Sequence, residues 1–319
     1  MSLVKRHPLI AFFVLTWALS WWPWILYAFG LSPTPIASFG PFLAALVVLA
    51  ITQGKSGIGG LLRRMVRWRV GIRWYAVALL LPVGIALAAT ALNVLLGAQA
   101  PSAADLGGWT GLFSTFAFVL LIPAAGGAWE EPGWRGFALP SLQAGRSALV
   151  ASLILGAVWA LWHLPLVVAT GQMGGWDIVN IMAWTLVLTW VYNGTGGSVL
   201  IVMLFHAMFN TISGGTIIPA LSALAFSGAD SVRQSWLLAA VWCAVAVAVV
   251  MWAGPKHLSR KLHKQEEEEG AEEPGTATPS GAVNNPINNT PEPYFGNCTS
   301  IPDRSYPLVH GTTATKGTG

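Results

Sequence analysis

Two adjacent glutamates, Glu130 and Glu131, stand in the stretch Gly-Gly-Ala-Trp-Glu-Glu-Pro-Gly-Trp-Arg-Gly-Phe from Gly126 to Phe137, with Arg135 four residues after the second. Before the acidic run that opens at Glu266, the other carboxylates are Asp105, Asp177 and Asp230, each beside a loop signal. Further along, His163 closes Trp159-Ala-Leu-Trp-His163, and His206 opens His206-Ala-Met-Phe-Asn210. These residue types suit the activation of water. A carboxylate in a low-dielectric cavity accepts a proton, and a histidine beside it shares or relays that proton. A second histidine with an asparagine supplies donors for the oxyanion formed when water attacks an amide carbonyl, each worth about 10²–10³ in rate. The same side chains also suit a divalent metal such as zinc, whose bound water would be the nucleophile. Metal-dependent and metal-free hydrolysis both fit these types, so the cofactor stays open.

The spacings place these groups on helix faces. Trp159 and His163, and likewise His206 and Asn210, are one turn apart on one face. Pro165 frees a carbonyl one turn back, which predicts a kink close to His163. Pro132 reads as the first residue of a new helix, with Glu131 near its N-cap and Arg135 one turn in. As the one cation near the pair, Arg135 can neutralise or orient one carboxylate, not both.

Each signal alone has an ordinary structural reading. The glutamates could be solvated at an interface, His163 bonded to a backbone carbonyl, and His206 with Asn210 could join helices by hydrogen bonds. Arg135 alone reads as a helix-end charge and Trp159 as a packing residue. Their coincidence in otherwise apolar helices argues for a shared site.

The elements that carry these residues are membrane spans. The chain has 319 residues, 54% hydrophobic and 9% charged, with 17 tryptophans. A soluble domain carries about 25% charged residues, so an all-α, multi-pass integral membrane protein is predicted. Apolar stretches fall at about 8–30, 36–53, 74–97, 110–128, 147–170, 177–193, 197–221 and 235–254, each near the ~20 residues that cross a bilayer. About eight transmembrane helices follow.

Lysine and arginine fix the expected orientation. They precede the first span (Lys5, Arg6), fill the loop after the second (Arg63 to Arg73), and recur at Arg146 and beyond the last span from Lys256. The loops around Ser32 to Thr34, Ala98 to Gly108 and Gly171 to Trp176 carry none. Both termini are therefore expected in the cytoplasm, and the protein in the plasma membrane. The net charge of +4 needs no nucleic-acid partner; the bilayer explains it. Residues 1–264 form the expected transmembrane domain, and 265–319, rich in Glu, Pro, Thr, Asn and Gly, a disordered cytoplasmic tail. Cys243 in the last span and Cys298 in the tail have no plausible pairing.

Other intramembrane hydrolase chemistries fit badly. The sequence has no His-Glu-x-x-His helix, no Gly-x-Ser-Gly in a span and no Gly-x-Gly-Asp. What is present resembles the CPBP family of intramembrane proteases, the CAAX-protease-like proteins. Their signature is Glu-Glu-x-x-x-Arg, then aromatic-x-x-x-His, then His-x-x-x-Asn, matched here by Glu130 to Arg135, Trp159 to His163 and His206 to Asn210. The matching core runs from about Leu112 to Phe226. Trp159 stands where phenylalanine is commoner, a departure expected to affect packing more than chemistry.

The resemblance implies an eight-helix CAAX-protease-like fold and an intramembrane endopeptidase whose site opens to the membrane and the cytoplasm. It implies that Glu130 and His163 activate water, that His206 and Asn210 stabilise the oxyanion, and that Glu131 and Arg135 support them. The implied partner is a membrane-associated peptide or protein. A second reading keeps the fold without catalysis, as a membrane binding or immunity protein. A proton-coupled transporter would predict internal repeats, and the Glu-Glu segment has no counterpart elsewhere in the chain.

Overall fold

A computed structural model describes residues 3–102, 109–124, 126–171, 173–213 and 226–260. The chain divides into a unit Met1–Pro274, to which all of these belong, and a second unit Gly275–Gly319. The expected tail, 265–319, lies outside the described residues, as do Cys298 and residues 214–225 of the motif core.

Every element among the described residues is helical. After a single turn, Leu3–Arg6, come α1 (Pro8–Ala28), α2 (Gly40–Thr52), α3 (Gly54–Met65), α4 (Ile72–Leu95) and α5 (Trp109–Leu121). A compound helical segment from Gly127 to Gln143 follows. Then come α6 (Ala148–Trp162), α7 (Leu164–Thr170), α8 (Gly175–Gly194), α9 (Val199–Ser213) and α10 (Gly228–Ala253).

Four segments are long and apolar enough to cross a membrane, namely α1, α4, the α6–α7 pair taken together and α10. Ile25, Leu80, Phe113, Val247 and Met251 point out of the bundle, where lipid accepts them. The other apolar helices, α2, α5 and α9, are only 13 to 15 residues long. Helices this short leave room for irregular backbone lining a cavity, the one place where a membrane tolerates it.

Two differences from the expected spans bear on the site. The fourth does not run into the glutamates: α5 ends at Leu121, and the pair lies on a separate turn. The fifth is broken at His163, between α6 and α7, where Pro165 predicts a kink. The basic stretch after α2, read as a loop, is helical as far as Met65.

Inter-helix packing follows membrane rules. Ser152 on α6 donates to Thr189 Oγ1 on α8 at 2.7 Å, and between the same helices a Cβ on Gly156 would meet Met182 Sδ at 2.9 Å. Small residues and interhelical hydrogen bonds bring these backbones close.

The basic residues gather at one end of the bundle. There Arg64 donates to the Tyr192 hydroxyl at 3.3 Å and Arg67 to the Gly196 carbonyl. Asn193 Nδ2 donates to the His257 carbonyl at 2.7 Å, and Ala148 N to the Lys256 carbonyl at 2.8 Å. At the other end, Arg233 near the start of α10 pairs with Asp230 at 2.8 Å and donates to Asn93 Oδ1 at 2.6 Å.

Candidate active site

The Glu-Glu segment is a run of helical turns of changing pitch. A 3₁₀ turn, Gly127–Glu130, passes into an α turn, Glu131–Gly133, a π turn, Trp134–Ala138, and a last α turn, Leu139–Gln143. The α turn begins on Glu131 with Pro132 second, one residue earlier than the proline suggested. Proline needs no N–H partner there. Gly133 has no room for a side chain, because a Cβ would collide with the Pro41 carbonyl of α2. Wide π turns favour functional sites, and this one carries both Trp134 and Arg135 inward, fully buried.

The two glutamates are treated differently. Glu130 Oε2 accepts two indole N–H groups, from Trp159 at 2.8 Å and from Trp134 at 3.3 Å. Glu131 is completely buried, with Arg135 Nη1 3.1 Å from Oε2 and 3.2 Å from Oε1. Its Oε1 also lies 2.6 Å from His206 Nδ1. The pairing of Glu131 with Arg135 agrees with the sequence reading, whereas the bond to His206 could not be read from spacing. Arg135 finds no acceptor for Nε or Nη2 among the described residues. Its guanidinium lies instead over the Trp159 ring, 4.4 Å from the centroid, in a desolvated cation–π contact.

Trp159 is thus more than the packing residue the sequence reading made it. Its ring stacks on Trp184 at 5.1 Å, meets His206 edge-on at 5.7 Å and lies 5.8 Å from His163. Its N–H holds Glu130, a bond that phenylalanine could not make. The departure thus adds a hydrogen bond to the expected packing role.

His163 sits at the break between α6 and α7. Its Nδ1 is 2.9 Å from the Trp159 carbonyl, which can only accept. The ring therefore carries its proton on Nδ1 and leaves Nε2 as an acceptor. His163, His206, Asn210 and Glu130 all line one cavity of about 450 Å³. Glu131 and Arg135 stand behind it, consistent with a supporting place.

Two glycines keep the reacting space open. A Cβ on Gly127 would collide with His206 Nε2 and stand 2.9 Å from Glu130 Oε1. A Cβ on Gly126 would stand 3.2 Å from Asn210 Nδ2 and 2.8 Å from Val119 Cγ1. The free oxygen of Glu130 and the free nitrogen of His206 therefore border the same gap. The sequence reading quoted both glycines and assigned them nothing. Their adjacency to the acidic pair was the available signal, since glycine marks close backbone approach.

α8 forms a second polar wall. Asp177, Asn180, Ile181 and Trp184 line the cavity at helical spacing. Asn180 Oδ1 and the Trp184 indole nitrogen are buried without a hydrogen-bond partner among the described residues. Asp177 Oδ2 accepts from Gly174 N at 2.7 Å, capping the helix. None of these was singled out as a site residue from sequence.

Glu130 Oε2 is taken by two indoles, Glu131 Oε1 and His206 Nδ1 by each other, and His163 Nδ1 by a carbonyl, which leaves Glu130 Oε1 and the Nε2 atoms of His163 and His206 for the cavity. Among the described residues no three His, Cys, Asp or Glu side chains converge as ligands.

The cavity is lined by the buried Glu130, His206 and Trp242 and also by the exposed Thr34 and the half-buried Ser38, Met173 and Asp177. The segment after α1 turns back into the bundle to form this rim, with Ala37 N donating to the Ser20 carbonyl at 2.8 Å and Ser38 Oγ to the Pro123 carbonyl at 3.1 Å. These residues lie on the loops opposite the arginine-rich end.

Comparison with known proteins agrees with the motifs. Residues 111–212 match the family described as type II CAAX prenyl endopeptidase Rce1-like, close to the expected core. A CAAX prenyl protease 2 from Methanococcus maripaludis is 26% identical over 184 residues, covering 53% of this chain and 67% of the relative. With its three motifs gathered at one cavity of an all-helical bundle, the chain is similar over residues 111–212 to the type II CAAX prenyl endopeptidases, and both likenesses support membership of the CPBP family of intramembrane proteases.

Proposed function

We propose that the protein hydrolyses peptide bonds of membrane-associated polypeptides with water activated by Glu130 and His163. The observation that carries this is the lining of one cavity by Glu130, His163, His206 and Asn210, with Glu130 Oε2 anchored and Oε1 left at the open gap beside Gly127. Water in that gap gives a proton to Glu130 Oε1 while His163 Nε2 accepts its second hydrogen bond. The hydroxide attacks the carbonyl carbon of the substrate. The oxyanion takes hydrogen bonds from Asn210 Nδ2 and His206 Nε2, and Glu130 returns the proton to the leaving amine.

Charge balance supports these roles. Two carboxylates and one guanidinium leave one negative charge in a buried cluster, and unpaired buried charge is costly. One added proton makes the cluster neutral. Placed on His206, with Glu131 Oε1 facing Nδ1, it lets both ring nitrogens donate and leaves Glu130 as the base.

Asn180 Oδ1 and Trp184 Nε1 suit the main chain of an extended substrate, one accepting from an N–H and the other donating to a carbonyl. The relative's name speaks of prenylated CAAX chains; for this chain the substrate class is a membrane-anchored polypeptide.

The test is cleavage of a membrane-tethered peptide library by the purified protein in proteoliposomes, with and without chelator. Cleavage that survives the chelator and is lost in His163→Ala supports the reading. Full activity in that variant would refute it. A non-catalytic immunity role would leave protection against a toxin intact in the same variant.

A further inference from the structure

The structure brings together charges that the sequence scatters. Arg64 and Arg67 are tied to Tyr192 and Gly196 at the α8–α9 turn, and the Lys256 and His257 carbonyls are tied to Ala148 and Asn193. Three basic segments that are distant in sequence, Arg63–Arg73, Arg146 and the stretch from Lys256, thus come together at one end of the bundle, without a carboxylate among them. At the other end stand Asp177 in the first turn of α8 and Asp230 in the first turn of α10, and Arg233 is paired with Asp230. Short loops rich in lysine and arginine stay in the cytoplasm, so a difference this large fixes the orientation.

The cavity opens at the acidic end. Thr34 and Ser38 on the segment after α1, Met173 just before α8 and Asp177 in its first turn line it. His206 lies seven residues into α9, which starts at the basic end, and lines the cavity as a buried residue together with Trp242. No residue of the arginine-rich end lines it.

We infer that the site is entered from the extracytoplasmic face and takes the juxtamembrane stretch of a polypeptide presented on that face. The inference rests on the proposed hydrolysis for what the cavity does with its occupant, and on the charge and cavity geometry alone for its sidedness. It separates this chain from a role on prenylated C-termini, which are made and displayed in the cytoplasm. Asp177 and the unpaired polar atoms of Asn180 and Trp184 then stand along the route that the entering chain follows.

Sidedness is read by cysteine labelling in bacterial spheroplasts that express the full chain. Cys243→Ala and Cys298→Ser remove the native thiols, and either Thr34→Cys at the rim or Arg69→Cys at the basic end is added. Both positions are exposed. A membrane-impermeant maleimide is expected to modify Thr34→Cys in intact spheroplasts and Arg69→Cys only after permeabilisation. The opposite pattern, labelling of both from one side, or an unreactive Thr34→Cys would each overturn the inference. The labelling needs no activity. Intact asymmetry in a chain that never cleaves would therefore sink the hydrolytic reading alone.

Discussion

The indole nitrogen of Trp159 lies 2.8 Å from Glu130 Oε2 and donates its hydrogen to it, while the face of the same ring carries Arg135 at 4.4 Å. One side chain thereby positions the carboxylate proposed as the base and shields the cation that serves the other carboxylate. A hydrogen bond to a charged group contributes about 1.5–3 kcal/mol. Trp159→Phe keeps most of the ring and removes the donor. Its turnover is expected to fall by about 10–100-fold with KM nearly unchanged. Trp134→Phe, whose bond is longer at 3.3 Å, is expected to cost less. Equal turnover in the wild type and Trp159→Phe would remove Trp159 from the positioning of Glu130.

Glu131 is expected to matter for stability as well as activity. Glu131→Gln leaves Arg135 buried without its countercharge, a loss of about 3–5 kcal/mol. Thermal unfolding in detergent would show it as a lowered Tm. Adding Arg135→Met should recover much of the Tm without restoring cleavage, because His206 still lacks its anionic partner. Recovery of both together would place Glu131 outside the chemistry.

Much of this site was legible in the sequence, and for identifiable reasons. Charged and polar side chains are rare in spans, so Glu130, Glu131, His163, His206 and Asn210 stood out against apolar neighbours. Pro165 located the break at His163, and the i, i+4 spacing gave the pairing of Glu131 with Arg135. The bond from His206 to Glu131 joins residues 75 apart in sequence, and no local pattern carries it. Trp159 was read as packing because its donor role depends on where Glu130 lies. The sidedness of the cavity depends on which helix ends meet, and so required the fold.

Gly127 tests where the reaction takes place. Gly127→Ala puts a methyl group between His206 Nε2 and Glu130 Oε1. Cleavage is expected to be abolished because the methyl group displaces the His206 ring, with thermal unfolding measured alongside; the backbone itself is not strained, since its φ lies outside the left-handed region. Gly145→Ala, where a Cβ meets nothing within 4 Å, serves as the control. An active Gly127→Ala enzyme would move the reacting space elsewhere.

The α8 wall should act on binding. Asn180→Leu and Trp184→Phe each remove one unpaired polar atom, a contribution of about 0.5–1.5 kcal/mol. KM for a tethered peptide is expected to rise by about 2–10-fold while kcat holds. A fall in kcat at constant KM would instead assign these residues to the transition state.

The most direct test of the account is the single-turnover cleavage rate of Glu130→Gln against the wild type in proteoliposomes, with thermal unfolding confirming that both are folded. Glutamine keeps an acceptor for the two indoles and cannot take a proton from water. Loss of the base is expected to lower the rate by about 10²–10⁴-fold. A folded Glu130→Gln protein that cleaves as fast as the wild type would contradict the account.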